Sequence, residues 1–307
     1  MNVFRSFAEA SSNDIRSLAL GFFDGIHRGH QQVIGNALAD GFAMSGGVLT
    51  FEPHPQAVLF PDKAPRLLTG LPHKLHDLGQ LGVNNIVLLP FDSQMALTSA
   101  GQFLQELGNN FPNLQRISVG ANWRFGHNRQ GDVAMLRDWC SSRQITLMAT
   151  DFVEYHGQPV SSSRIRQFVV SGELATASDL LGKPYSLFGT VVRGNQLGRQ
   201  IGFPTANLAT KDQCLPPQGV YFGRVIIDDK PCPAAINIGY KPSVDSKVAT
   251  LTIESHLLDF NRDIYGLTIS VCPQKFWRAE QKFPSLQQLK EQLECDIAAA
   301  KEFHNRS

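Results

Sequence analysis

The sequence predicts two domains of different class, an α/β half and then a mainly β half, and three observations carry that prediction. Short apolar runs alternate with helix-period segments over the first half. After about Lys183 the pattern changes to period-two alternation punctuated by glycine and proline. At 307 residues the chain exceeds what one core ordinarily organises, at roughly 150 residues per domain. The division is therefore expected at 1–183 and 184–307.

Taken in order, "SLALGFF", "GGVLTFEP", "NNIVLLPFD", "RISVGANW" and "ITLMATDF" read as strands with helix-like stretches between them, the grammar of a parallel sheet covered by helices. After the first strand, "HQQVIGNALADGF" has the apolar stripe of a helix in Val33, Ile34, Ala37 and Leu38. "SRIRQFVVSGELATASDLLGKPY" is helix-rich and joins the halves. Beyond it, "YSLFGTVVRG", "GVYFGRVIID", "ATLTIESHLLDF" and "YGLTISVCP" predict antiparallel strands curling into a barrel. Ser285 and Gln288 have capping-box spacing, and Leu286, Leu289, Leu293 and Ile297 form one stripe, so a terminal helix is expected to pack on the barrel.

Composition bounds the function classes. With 42% hydrophobic and 18% charged residues the chain can bury a core. A formal net charge of +1 supplies no general attraction to nucleic acid or an anionic membrane, so any anion site must be local. The N-terminus has no signal-peptide pattern and no apolar run approaches the roughly 20 residues of a membrane span, which predicts a soluble cytoplasmic protein. Its five cysteines, Cys140, Cys214, Cys232, Cys272 and Cys295, are scattered without a C-x-x-C pair and read as reduced thiols.

The stretch "GFFDGIHRGHQ" sets His27 and His30 three apart where the first strand gives way to a helix, beyond the carboxyl end of a parallel strand, where such sheets bind ligands. Attack on the α-phosphate of a nucleotide requires positive charge and donors where charge grows in the transition state. Two imidazoles at a helix N-terminus, with a glycine between them for close approach, suit that task. Alone, a histidine pair near a turn is more often solvated or structural, and a metal site would need a third ligand that the spacing does not show.

The longer string resembles the signature of the HxGH nucleotidyltransferases, specifically the adenylyltransferase module of bacterial bifunctional riboflavin kinase/FAD synthetases. "TFEPHP", "VGANWRFGHNRQGD" and "VSSSRIR" are similar to the later blocks of that family and stand in its order. The resemblance implies a Rossmann-like domain in which His27 and His30 stabilise the α-phosphate transition state. Gly21, Phe23, Asp24 and Gly29 would line the ATP phosphates, and Ser162, Ser163 and Arg166 would hold the outgoing pyrophosphate. Asn122, Arg124, Phe125 and Arg129 would lie near the nucleotide and the flavin phosphate. Many members carry aspartate at the position of Asn122 and threonine at that of Ser163. Read without the family, serine hydroxyls and a guanidinium suit phosphate oxygens, while three serines in a row also make an ordinary helix cap. Glu52, and His54 between Pro53 and Pro55, are expected to shape their loop rather than do acid/base chemistry.

In the second half, Gly194, Gly198 and Gly202 recur at a period of four in "GTVVRGNQLGRQIGFPTANL", which is neither a Rossmann fingerprint nor a P-loop. Thr205 and Asn207 share one face of an extended segment and offer neutral oxygens to a hard cation. With "PPQGVYFGRV", "NIGYKPSV", "IESHLLDF" and "IYG", this half resembles the riboflavin kinase domain. That resemblance implies Mg²⁺ on Thr205 and Asn207, ATP phosphates along the three glycines, Glu254 as general base toward the ribityl hydroxyl, and Arg278 as a flavin-binding arginine. Alternation in "TLTIESH" independently puts Glu254 on the face opposite Leu251 and Ile253. Arg193 stands where the family commonly has histidine, and Pro273 is atypical in the segment before Arg278.

The expected activity is bifunctional: riboflavin to FMN in the C-terminal domain and FMN to FAD in the N-terminal one, each with ATP and Mg²⁺, in a chain that is monomeric or weakly self-associating and binds neither nucleic acid nor membrane. Two rivals follow from the same residues. One is a flavin-binding sensor without turnover. The other is a nucleotidyltransferase acting on pantetheine phosphate or nicotinamide mononucleotide, which leaves the barrel half without a task.

Overall fold

The computed structural model of the chain describes residues 1–194, 197–210, 212–241 and 250–306. Residues 195 and 196 of the glycine-rich stretch and 242–244 of "NIGYKPSV" lie outside the described residues. The strands are β1 (Asn2–Phe4), β2 (Ser17–Leu20), β3 (Gly46–Glu52), β4 (Asn85–Pro90), β5 (Arg116–Gly120), β6 (Thr146–Thr150), β7 (Glu154–Tyr155), β8 (Gln158–Pro159), β9 (Leu187–Val192), β10 (Ala206–Ala209), β11 (Gly219–Ile227), β12 (Lys230–Lys241), β13 (Thr250–Leu257) and β14 (Thr268–Arg278). The helices are α1 (Phe7–Ser11), α2 (Arg28–Leu38), α3 (Pro55–Leu59), α4 (Leu71–Gln80), α5 (Ser93–Leu97), α6 (Ala100–Asn110), α7 (Val133–Ser142), α8 (Ser162–Ser171), α9 (Leu174–Leu181), α10 (Leu197–Gln200) and α11 (Leu286–Asn305).

By packing, the chain forms two bodies, residues 1–67 with 73–162 and residues 68–72 with 163–307. The change of sequence grammar near Lys183 comes later than this boundary, because α8 and α9 count with the second body while carrying no β pattern.

In the first body six strands form one parallel sheet in the order β1, β4, β3, β2, β5, β6. All five strands read from the apolar runs are present, and β1 adds an edge too short to show as a run. Leu18, Leu20, Leu49, Val87, Ile117 and Val119 are fully buried in it, as strands covered on both faces require. The order places β2 centrally, so the loop into α2 opens beyond the carboxyl end of a middle strand. On α2, Val33, Ile34 and Ala37 are buried as the helical stripe predicts.

In the second body six antiparallel strands close into a barrel in the order β10, β13, β12, β11, β14, β9, with β9 pairing back to β10. Val225, Ile236, Ile253 and Val271 are fully buried there. Pro273 is accommodated by a register shift: Gly223 pairs with Pro273 but its neighbour Phe222 pairs with Lys275, so Gln274 is the extra residue of a bulge.

The terminal helix differs in detail from its expected packing. Ser285 does cap it, accepting the Gln288 N–H at 3.2 Å. Its buried residues are Asp296 and Ala300, however, while Leu286 is exposed and Leu289, Leu293 and Ile297 are only partly covered.

Candidate active sites

The loop from β2 into α2 is wound tightly, with Phe23, Gly25 and Ile26 all at positive φ (52°, 84° and 42°). For phenylalanine and isoleucine that conformation is strained, and such strain persists only where surroundings over-determine it, most often at functional loops. Phe23 is buried and stands edge-on to His30, ring centres 5.3 Å apart. Gly21 leaves space for that ring, since a Cβ there would lie 2.9 Å from its tip. The Asp24 carboxylate is buried, and its backbone carbonyl accepts the Ser162 hydroxyl at 2.9 Å.

His27 is the N-cap of α2, and its Nδ1 accepts the His30 backbone N–H at 3.3 Å. Because Nδ1 is the acceptor, the proton of the neutral ring resides on Nε2, the atom left to face a ligand. The rings of His27 and His30 stack at 3.6 Å, 17° from parallel. Gly29 permits the stack, because a Cβ there would press on His27 Cε1 at 3.3 Å.

Burial pushes the His27 imidazole down to about 4, against the opposing pull of Asp24. Burial, and then the neighbouring His27 and Lys74, hold His30 well below the ordinary histidine range. Both rings are therefore neutral at physiological pH. The sequence reading assigned them positive charge; the structure makes them neutral rings at a helix N-terminus, beside backbone N–H groups of the kind that suit an anion.

The other predicted residues of this half fall in two groups. In the loop from β5 to α7, Phe125 pairs with Gly131 through both backbone hydrogen bonds, at 3.1 and 2.9 Å, and stacks on Trp123 at 4.6 Å. Asn122, Arg124 and Arg129 are exposed on it, Arg124 bound to Asp132 at 3.3 Å. Ser162 opens α8, tied to the Asp24 loop as described. Ser163 and Arg166, one and four residues further along α8, belong to the second body, where the Arg166 carbonyl accepts the Cys214 thiol at 3.9 Å. His54 caps α3, and Phe22 lies against both Phe51 and His54, so the "EPHP" loop is shaped locally as expected.

In the barrel, register brings the second set together. Asn207 on β10 and Asn237 on β12 both pair with Glu254 on the strand between them, β13. Thr205 Oγ1 donates to Glu254 Oε2 at 3.4 Å. Gly194 approaches the Asn207 amide so closely that a Cβ would lie 2.6 Å from its side chain. Gly198 sits against the Phe203 carbonyl, and Gly202 holds φ +94° in the turn before "FPTAN". His256 Nδ1 lies 2.8 Å from the Pro204 carbonyl and fixes the approach of that segment.

Thr205, Asn207, Glu254 and His256 line a cavity of about 370 Å³, as do Leu289, Leu293 and Ile297 of α11. Three residues of the α11 stripe, with Ile297 also packing against the cluster of Phe222, Leu258 and Ala300, thus line the cavity. Arg278 also lines it, its guanidinium held by Asp296 at 2.6 Å from Nη2 and 3.0 Å from Nε. Asp296 further accepts Trp277 Nε1 at 3.1 Å and Gln292 Nε2 at 3.0 Å. Glu280 also lines the cavity and accepts the Asn237 amide at 3.0 Å. Arg193 is exposed beside the ring of Tyr265, at 5.6 Å.

Comparison with known proteins divides the chain where these two sites divide it. A family model described as FAD synthetase matches residues 9–164, and one described as riboflavin kinase matches residues 181–304. The bifunctional riboflavin kinase/FMN adenylyltransferase of Escherichia coli (strain K12) is 37% identical over 93% of this chain and 92% of its own. This chain belongs to the bifunctional riboflavin kinase/FMN adenylyltransferase family. The member from Bacillus subtilis (strain 168) is 35% identical over 91% of this chain and 89% of its own. A solved chain from Streptococcus pneumoniae, described as a macrolide-efflux protein, superposes with a TM-score of 0.81 at 30% identity, covering 98% of each chain. Among the described residues here, no helix is long and apolar enough to cross a membrane.

Sequence reasoning overlooked Asn237, His256 and Asp296. Asn237 and His256 are legible only once strands are paired. Asp296 lies mid-helix among charged residues, with no local signal that it is buried.

Proposed function

We propose that the parallel-sheet body adenylates FMN to FAD at the His27–His30 turn and that the barrel phosphorylates riboflavin to FMN at Glu254. The single observation that supports this reading is that the His27–His30 turn lies within the residues matched by the FAD synthetase model and Glu254 within those matched by the riboflavin kinase model.

At the first site the stacked imidazoles donate N–H groups to the α-phosphate, and the N-terminus of α2 adds its dipole, so charge developing on the phosphoryl oxygens meets fixed donors in a buried setting. Ser162, whose hydroxyl is tied to the Asp24 carbonyl of the same loop region, takes the pyrophosphate. The exposed loop carrying Asn122, Arg124, Phe125 and Arg129 receives the flavin phosphate and nucleotide. Neutral rings suit this work, since a donor is required on both sides of the reaction and no net proton need be taken up.

At the second site Glu254 accepts the proton of the ribityl hydroxyl as its oxygen attacks the γ-phosphate. The flavin lies in the cavity against Leu289, Leu293 and Ile297, and Arg278, braced by Asp296, closes on it. Thr205 and Asn207, two neutral oxygen donors beside a carboxylate, fit a hard cation that enters with ATP and keeps much of its own water. Bound there, Mg²⁺ supplies charge neutralisation of the β- and γ-phosphates. The five free cysteines suit a reducing cytoplasm.

Reciprocal substitution tests the assignment. Glu254→Gln should abolish FMN formation and leave FAD formation from supplied FMN intact; His30→Ala should do the reverse. Loss of both activities in either folded variant would refute the division, and riboflavin recovered unchanged from the wild type with ATP and Mg²⁺ would favour a non-catalytic sensor.

A further inference from the structure

Three strands of the barrel carry one polar row. Asn207, Glu254 and Asn237 are direct partners across β10, β13 and β12, so their side chains leave the same face of the sheet, and all three line the cavity. The row does not stop at β12. Asn237 Nδ2 donates to Glu280 Oε1 at 3.0 Å, and Glu280, just beyond the end of β14, lines the cavity as well. Because an ionised carboxylate only accepts, this contact turns the amide nitrogen of Asn237 toward Glu280 and leaves its oxygen as a further acceptor.

Glu280 has a prepared seat. Gly239 follows Asn237 on the same face of β12, and a Cβ there would collide with both Glu280 carboxylate oxygens. Gly239 takes an ordinary strand backbone rather than a positive φ. Room for the carboxylate, not backbone freedom, therefore calls for a glycine inside a strand, where glycine ordinarily costs stability. Among the described residues the partner of Glu280 is this neutral amide and not a cation, whereas Asp296 is occupied by Arg278. Acceptors held in a row without a neutralising cation suit the hydroxyl hydrogens of an uncharged polyol. Neighbouring strands stand about 4.8 Å apart, so the stretch from Glu254 past Asn237 to Glu280 suits an extended chain bearing several hydroxyls rather than one.

We propose that Asn237 and Glu280 determine the substrate specificity of the kinase site, accepting the inner hydroxyls of the ribityl chain whose terminal hydroxyl faces Glu254. The site thereby selects a polyhydroxylated side chain and not merely a flavin ring that ends in an alcohol. The inference rests on the reading of Glu254 as the phosphorylation site, and the two fail separately. Full FMN formation by Glu254→Gln would remove that site; the substrate comparison below addresses Asn237 and Glu280 alone.

The test compares riboflavin with the flavin whose N10 chain is 5-hydroxypentyl, which keeps the terminal hydroxyl and lacks the inner ones. With the full chain, ATP and Mg²⁺, kcat/KM should favour riboflavin by about 100-fold or more, because the analogue leaves the acceptors unpaired. Glu280→Ala should lower kcat/KM for riboflavin by roughly tenfold or more and alter that for the analogue by less than about twofold, so that discrimination narrows. Asn237→Ala should narrow it in the same way. Equal losses on both substrates would overturn the proposal, since a residue that only closes the cavity or braces the barrel acts alike on both. A wild type that phosphorylates both equally well would also overturn it. Gly239→Ala keeps both residues but displaces the carboxylate, and should reproduce the selective loss; undiminished discrimination there counts against the proposal. Should the strand variants melt below assay temperature, Glu280→Ala decides, because Glu280 is exposed and outside the strands.

Discussion

His27 Nδ1 accepts the backbone N–H of His30 at 3.3 Å while the two rings stack at 3.6 Å. One side chain thus caps a helix, fixes its own tautomer and sets its partner's ring, which makes its structural and chemical contributions separable by substitution.

His27→Asn keeps a capping oxygen but removes the Nε2 donor; His27→Ala removes both. FMN adenylylation should fall by roughly 100-fold or more in each. Only the alanine variant should also lose about 1 kcal/mol of stability from the missing cap. Chemical denaturation beside an FAD-formation assay reads the two effects apart.

Folding should weaken as pH falls through the range set by His27. Its imidazole titrates near 6.5 in the unfolded chain and at about 4 in the folded one, so the unfolded state takes up a proton that the native state refuses. Its contribution is complete above 6.5 and declines as pH drops to about 4, amounting to on the order of 3 kcal/mol in full. His30 shifts in the same direction. Urea midpoints from pH 7.5 down to pH 4.5, roughly spanning that window, should fall less steeply for His27→Gln than for the wild type; parallel curves would contradict the assignment.

Gly194→Ala should impair the kinase selectively. Its new methyl would stand 2.6 Å from the Asn207 amide, which must then shift, and Asn207 pairs with Glu254 across the strands. Riboflavin phosphorylation should drop at least about tenfold, an order typical of a displaced positioning group. FAD formation from supplied FMN should be unaffected.

Asp296→Ala leaves Arg278, Trp277 Nε1 and Gln292 without their common acceptor. Loss of one partner of a buried ion pair costs about 3–5 kcal/mol, so the barrel's melting transition should fall markedly. A raised KM for riboflavin with unchanged adenylylation of FMN is the expected kinetic signature.

Much of this protein was legible before folding because the signals are local. Period-two and helix-period stretches follow from which face of each element is buried, and the glycine, histidine and "FPTAN" strings carry constraints within a few residues of one another. The α11 stripe shows the limit. Leu289, Leu293 and Ile297 have the helical spacing of packing residues, and Ile297 does pack against the cluster of Phe222, Leu258 and Ala300; that all three also line a cavity is not legible in the spacing, since apolar side chains look the same in either setting. Asn237 gave no signal, because only strand pairing sets it opposite Glu254.

From the amino-acid order alone came the two fold classes, the H-x-G-H turn and the Thr205–Asn207–Glu254 set. The tertiary structure alone decided the protonation of the imidazoles, the commitment of Arg278 to Asp296 and the burial of Lys74. Charge states and side-chain partners depend on desolvation and on contacts between residues far apart in the chain, and neither is written in a local pattern.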